Sequence, residues 1–256
     1  MKFDDLDKQM RVYETAHDHR VLPGLWIVAR LDGRNFTKLC RERVKFEAPF
    51  DERFRDIMIA VTSHLMDCGF KTLYSYTQSD EISLLFDKNI DLFGRKMRKY
   101  NSILAGEASA KFSLLLGDIG VFDCRLSQLP DKEAVVDYFR WRSEDAHRNA
   151  LNSHCYWLLR KENYNVQDAT DFLEGKSVAD KNELLFSRQI NFNDLPSWQK
   201  RGVGLYRVDG KTHTDFDLPF GGAYGEYIDK VIANPKKLNQ FLLNCSQTAA
   251  DIAENN

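Results

Sequence analysis

Acidic side chains stand at two places where strand-like runs stop. Asp32 closes Leu25 to Leu31 inside Ala-Arg-Leu-Asp-Gly-Arg-Asn-Phe (Ala29 to Phe36), and Asp80 with Glu81 separates Thr72–Thr77 from Ile82–Phe86. Carboxylates gathered at one sheet edge repel one another, so such a cluster needs cations. Two divalent ions about 3.5 to 4 Å apart are the usual occupants in phosphoryl and nucleotidyl transfer. Adjacent strand residues point to opposite faces, which gives the metal shared with Asp32 to Asp80 and leaves Glu81 as a partial ligand or charge tuner. Gly33 lacks a side chain, so its carbonyl can approach a cation closely, and Ser79 can donate to a phosphate oxygen. Blander readings stay open here. Asp-Gly is a favoured turn dipeptide, and Asp80-Glu81 can be a polar hairpin tip, although Gln-Ser-Asp-Glu lacks the Gly that a two-residue loop prefers.

Arg30, Arg95, Lys99 and Arg125 are candidates for neutralising a triphosphate, since the planar guanidinium fork suits phosphate. No Gly-x-x-x-x-Gly-Lys-Ser/Thr stretch occurs, so a P-loop is not the cradle. Asp145, His147, Asn149 and Asn152 share one helical segment, as a polar face or a contact surface. His147 and His154 lie seven residues apart with no third zinc ligand nearby. Basic clusters occur at Arg95–Lys99 and, more weakly, at Arg41–Lys45, Arg140–Arg148 and Lys200-Arg201. Each reads equally as a solvated helix face.

The surrounding pattern supplies elements to position these residues. An amphipathic opening (Phe3, Leu6, Met10) leads through Pro23-Gly24 to a first strand. A short helix is expected at Asn35–Cys40, an Asp51-capped helix ending at Gly69, strands on both sides of Gln78–Glu81, a long helix from Phe93 to Leu116, and a strand from Gly120 to Leu126. Strand, helix, strand, strand, helix, strand is the ferredoxin-like βαββαβ order. In that arrangement the first two strands are parallel and the third lies antiparallel beside the first, so Asp32 meets Asp80 and Glu81 at one edge. After Pro130 the chain turns helix-rich, with a hairpin at Gly202–Lys211 around Asp209-Gly210 and a last amphipathic segment through Tyr227, Val231, Leu238 and Leu242. We expect a catalytic half, residues 1–130, and an appendage, residues 131–256, packed on it, with a frayed tail from Ala249.

With 256 residues, 43% hydrophobic and 29% charged, the chain has the composition of a globular protein. Apolar runs are far too short for a membrane span, and no apolar region follows the amino terminus, so neither membrane insertion nor a secretory signal is expected. Five scattered cysteines without a Cys-x-x-Cys pair suit a reducing, cytoplasmic setting. A net charge of −2 leaves any polyanion to local basic clusters.

The Arg-Leu-Asp-Gly-Arg-Asn-Phe block, the Gln-Ser-Asp-Glu turn and Phe-Asp-Cys-Arg (Phe122 to Arg125) together resemble the tRNA-His guanylyltransferase family. So do Tyr138-Phe139-Arg140-Trp141-Arg142 and the segment Asp180 to Phe186. The match runs in order from about residue 4 to about residue 210. It implies an α+β, polymerase/cyclase-like palm with an added helix-rich C-terminal half. Two Mg²⁺ would be held by Asp32, the Gly33 carbonyl and Asp80, with Glu81 beside them as a catalytic carboxylate. Arg34, Asn35 and Phe36, with Arg30, Ser79, Arg95, Lys99 and Arg125, would meet nucleotide phosphates. His147, Asn149 and Asn152 would touch RNA or nucleotide. Implied partners are tRNA, ATP, GTP or other nucleoside triphosphates, and sister subunits of a homotetramer.

Two departures bear on the reaction. Eukaryotic members carry His-Ile-Asn-Asn-Leu-Tyr-Asn where this chain has His147-Arg-Asn-Ala-Leu-Asn-Ser153, and a lysine where it has Ala48. Both changes resemble the guanylyltransferase-like branch, which repairs 5′-truncated tRNA against a template. The expected function is therefore templated 3′-5′ addition, with non-templated guanylation of tRNA-His as the alternative. More distant rivals are a nucleotidyl cyclase, a conventional polymerase, or an RNA-binding sheet that displays Tyr74 and Tyr76 to bases.

Overall fold

A computed structural model describes residues 1–233. The elements run α1 (Phe3–Thr15), β1 (Trp26–Gly33), α2 (Phe36–Lys38) continuing into a π-helical turn (Leu39–Arg43), α3 (Glu52–Asp67), β2 (Thr72–Gln78), β3 (Glu81–Phe86), α4 (Met97–Leu116) and β4 (Phe122–Leu129). The second half adds α5 (Lys132–Lys161), α6 (Val166–Leu173), α7 (Val178–Phe186), α8 (Ser197–Arg201), β5 (Val203–Val208), β6 (Lys211–Asp215) and α9 (Gly222–Ala233). Leu238, Leu242, Cys245 and the tail from Ala249 lie outside the described residues.

All neighbouring strands are antiparallel, in the order β4-β1-β3-β2-β5-β6. The first four form the expected ferredoxin-like order. Alternation along β1 and β3 explains its two faces. Ile27, Ala29, Leu31, Ile82, Leu84 and Phe86 share a core with residues of α3 and α4, such as Val61, Leu65, Leu104 and Phe112. Val28 and Leu85 turn the other way, into a core with Phe139 of α5 and Tyr224, Tyr227 and Ile228 of α9. Tyr74 and Tyr76 belong to this second core at 0% and 3% exposure, and Tyr74 shares a 2.9 Å hydrogen bond with Tyr224. The sheet therefore displays neither ring to bases, which contradicts the RNA-binding reading.

Local chemistry sets the boundaries. The Asp51 carboxylate accepts the Arg53 N–H (2.8 Å) to cap α3, and Asp131 caps α5 by accepting that of Ala134 (2.8 Å). Helix α4 starts at Met97 rather than the expected Phe93, because Phe93, Gly94 and Arg95 take left-handed backbone angles that cannot begin a helix. Asp209-Gly210 turns the β5–β6 hairpin with both residues at positive φ. That hairpin pairs through β5 with the free edge of β2, Tyr74 opposite Tyr206 and Thr77 opposite Val203, so the second half extends the sheet of the first. The end of α5 packs with α6 and α7 around Leu151, Cys155, Leu159, Leu173 and Leu185. None of the helices among the described residues is long and apolar enough to cross a membrane. Cys40, Cys68, Cys124 and Cys155 are free thiols.

Candidate active site

The end of β1 and the β2–β3 loop meet at one sheet edge. Asp32 is the ladder partner of Glu81, and the Gly33 N–H donates to the Asp80 carbonyl (3.1 Å). Gln78 pairs with Glu81, so Ser79-Asp80 is a two-residue loop even though it lacks Gly. Ser79 supplies the positive φ (51°) that the turn requires, and its hydroxyl donates to the Asp80 carboxylate (3.1 Å). Gly33 is required by close approach: a Cβ there would lie 2.6 Å from the Phe36 ring.

The neighbouring carboxylates meet different surroundings. Glu81 lies between two arginines, 3.3 Å from Arg30 and 2.5 Å from Arg142. Arg30 also lies 3.5 Å from Asp32, and Arg125, opposite Arg30 in the β1–β4 ladder, is 3.8 Å from Asp32 and 3.1 Å from Asp123. Arg142 comes from α5 and bridges onward to Asp145 (3.2 Å). Asp80 sits in the loop and forms no ion pair among the described residues. Burial first, then the charges of Asp32 and Glu81, push its carboxyl up to about 6. A half-buried carboxylate without a cation, beside a second carboxylate, is a place that a metal ion would stabilise.

Among the described residues no three His, Cys, Asp or Glu side chains are grouped to hold a metal. Two carboxylates and a main-chain oxygen nevertheless fit Mg²⁺, which keeps waters and takes substrate phosphates as further ligands. The arginines on Glu81 set it apart from Asp80 as a charge-compensated group.

Two clefts open at Asp80. One, of about 140 Å³, is walled by Phe36, Phe46, Phe50, Phe54 and Trp198, with Ser79 and Asp80 at its polar end. The other is lined by Gly33, Asn35, Lys38 and Glu42, and both clefts include Thr37 and Arg41. An aromatic pocket that ends at a carboxylate edge suits a nucleobase and its phosphates. Of the wall residues only Phe36 was assigned from the sequence. The aromatics around Pro49 are a visible signal, but Trp198 arrives from a distant helix.

The remaining candidates scatter. Asn35 takes φ 60° and turns the chain, leaving Arg34 and Asn35 exposed at the edge. Phe36 is 2% exposed and packs on Phe112 (4.7 Å) and Phe122 (4.9 Å), so its body is core with one side on the clefts. Asn149 donates to Asp145 (3.3 Å) and so joins the Arg142–Glu81 chain. His147 packs instead on Phe220 (4.6 Å) and Phe192 (5.2 Å). Burial, then the charges of Arg201 and Lys200, lowers its pKa and favours neutral imidazole. Asn152 is exposed.

The structure places Arg95 and Lys99 away from the Asp32 edge. The Arg95 guanidinium is buried and donates to the carbonyls of Val21 (3.2 Å), Leu25 (2.7 Å), Lys88 (3.2 Å) and Ile90 (3.0 Å). Leu25 precedes β1, so Arg95 lies a strand length, about 25 Å, from the Asp32 edge. Lys99, at the same end of α4, stands 6.0 Å from the Phe93 ring. A phosphate at Asp32 in the same chain is out of their reach.

Comparison with known proteins places this geometry. Residues 7–130 match the family model described as tRNAHis guanylyltransferase (Thg1), and residues 133–249 match the Thg1 C terminal domain. The probable tRNA(His) guanylyltransferase of Drosophila melanogaster is 34% identical over 200 residues, covering 74% of this chain and 70% of that protein. That of Homo sapiens is 31% identical over 215 residues, covering 79% and 72%. Among solved structures, a bacterial tRNA(His) guanylyltransferase (Thg1)-like protein in complex with ATP superposes with a TM-score of 0.77 at 26% identity, over 89% of this chain and 99% of that one. The Saccharomyces cerevisiae tRNA(His) guanylyltransferase gives 0.70 at 25% identity, over 78% and 93%.

Proposed function

Because the chain belongs to the tRNA-His guanylyltransferase family and is a nucleotidyltransferase of that kind, we propose that it rebuilds 5′-truncated tRNA by templated addition in the 3′-5′ direction. The observation that carries this reading is the proximity of Asp32 to an Asp80 that lacks any cation, beside an aromatic cleft.

The reaction has two steps. A 5′-monophosphate on the RNA displaces pyrophosphate from ATP, giving an adenylylated 5′ end. The 3′-hydroxyl of an incoming nucleoside triphosphate then attacks that 5′ phosphorus and expels AMP. Two Mg²⁺ held by Asp32, Asp80 and the Gly33 carbonyl would lower the hydroxyl pKa and offset charge on the attacking and leaving oxygens. The chain's own groups orient the reactants. The aromatic cleft takes the base, Arg34 and Arg125 stand at the phosphate edge, and Arg30 with Arg142 keeps the Glu81 charge compensated.

Templating is supported by the two departures in the sequence. Ala48 adjoins the cleft residue Pro49 and brings no charge to it. The His147–Ser153 segment keeps Asn149 but lacks the second Asn, the Tyr and the last Asn of the eukaryotic pattern. Pairing with the 3′ strand of the acceptor stem would then select the nucleotide while the protein holds phosphate and sugar. The second reading, guanylate addition to tRNA-His, is favoured by the names of the curated relatives. Extension of a truncated tRNA with each nucleotide in turn separates the two. Under templating, the incorporated nucleotide follows a change of template base from C to A, G or U. Guanylate inserted against every template would establish the second reading instead. Assembly as a homotetramer in the cytoplasm completes the proposal, since subunits with a net charge of −2 would need to combine basic patches to hold a tRNA.

A further inference from the structure

Most cations at the Asp32 edge already have carboxylate partners. Arg30 faces Asp32 and Glu81, Arg125 faces Asp123 and Asp32, Arg142 faces Glu81 and Asp145, and Lys38 pairs with Glu42 at 3.8 Å. At the clefts, Arg55 is taken by Glu52 (3.3 Å) and Asp56 (2.8 Å). Arg34 and Arg41 differ. Among the described residues neither forms an ion pair, and of the two only Arg41 lines the clefts that open at Asp80, both of them. The Arg41 guanidinium lies 4.6 Å from the centre of the Trp157 ring and 6.0 Å from that of Tyr156. These rings come from the end of α5, more than a hundred residues along the chain.

An arginine stacked on an indole face keeps its N–H donors free in the ring plane's direction, and the stack fixes a side chain that otherwise loses much rotamer freedom on binding. A guanidinium without a carboxylate is also the stronger attractor for an outside anion. We propose that Arg41 is a phosphate-binding residue of the nucleotide site, held in position by Trp157, and that it takes phosphate oxygens of a group lying between the two clefts. The inference rests on the nucleotidyl-transfer reading of the same site. It gives the end of α5 a part in ligand binding. The phosphate belongs either to the nucleoside triphosphate or to the 5′ end of the RNA.

The test uses the full chain with Arg41→Gln, Arg41→Lys and Trp157→Leu. Arg41 is exposed, so the glutamine variant should keep the wild-type melting temperature. If the triphosphate is the ligand, Arg41→Gln weakens Mg-ATP binding in equilibrium dialysis by about tenfold and leaves adenosine unchanged. Arg41→Lys should recover part of the loss, and Trp157→Leu should show a smaller loss than Arg41→Gln, because the charge remains but is no longer held. If the RNA end is the ligand, ATP affinity stays the same. The KM for 5′-monophosphorylated truncated tRNA then rises, while binding of the 5′-hydroxyl RNA does not change. Equal losses for ATP and adenosine, or no change in either ATP affinity or RNA KM, overturn the proposal. Wild-type behaviour of Trp157→Leu overturns the part assigned to the indole. A wild-type protein that binds ATP but extends no tRNA would sink the repair reading, and the ATP comparison would still decide the role of Arg41.

Discussion

Asp32 faces Glu81 across the β1–β3 ladder, and one Arg30 guanidinium nitrogen lies 3.5 Å from the first carboxylate and 3.3 Å from the second. With Arg142 on the far side of Glu81, the ladder pair is partly neutralised before any ligand arrives. The acid left without a cation is Asp80, one residue earlier and in the loop. Two adjacent residues thus take different parts because one belongs to a strand and the other to its turn.

Replacing Asp32 or Asp80 with alanine should lower turnover by at least about 100-fold, the loss expected when a group that stabilises transition-state charge is removed. The fold should survive, and Asp80→Ala should not lower the melting temperature, since it removes a half-buried charge that has no cationic partner. Near wild-type turnover in either variant would exclude the two-carboxylate site.

Arg142→Met should cost about 1–3 kcal/mol in urea unfolding, because it leaves Asp145 without its arginine and Glu81 with Arg30 alone. A double variant with Glu81→Gln should recover part of that loss. Additive losses in the cycle would show that the pair is not coupled.

Gly33→Ala places a methyl group 2.6 Å from the Phe36 ring, in a core where Phe36 is already packed by Phe112 and Phe122. Overpacking of this kind costs about 1–3 kcal/mol. Because Gly33 also bonds the Asp80 loop, turnover should fall together with stability. A variant as stable and active as the wild type would show that the ring moves freely.

The acid limb of stability should report His154. Burial, the leading cause, lowers its pKa from the usual 6.5 to about 4, with the neighbouring Gln199 opposing it and the Lys161 and Lys200 charges adding to it. The unfolded chain therefore binds a proton between these values while the folded chain does not, so this contribution is complete above pH 6.5 and is lost as pH falls toward 4. Thermal melts should fall less steeply across that window in His154→Gln than in the wild type. Parallel profiles would place the loss elsewhere.

Much of the fold was legible because it follows from short-range periodicity. Short strand-like runs mark β1, β2 and β3, Asp51 and Gly69 bracket α3, Asp209-Gly210 marks the hairpin, and the ferredoxin-like order then brings Asp32 to the β2–β3 loop. The amino-acid sequence thus determined where the acids would gather and which family the chain resembles. Tertiary structure decided what each of them meets. Arg95 reads as a phosphate ligand until its donors are found on four carbonyls, and Tyr74 and Tyr76 read as exposed until α5 and α9 cover the sheet. Glu81 finds Arg142, and Arg41 finds Trp157, across long loops of chain. Hydrophobic patterning encodes which side of an element is buried, whereas these partnerships depend on how separate elements close against one another, and no local spacing records that.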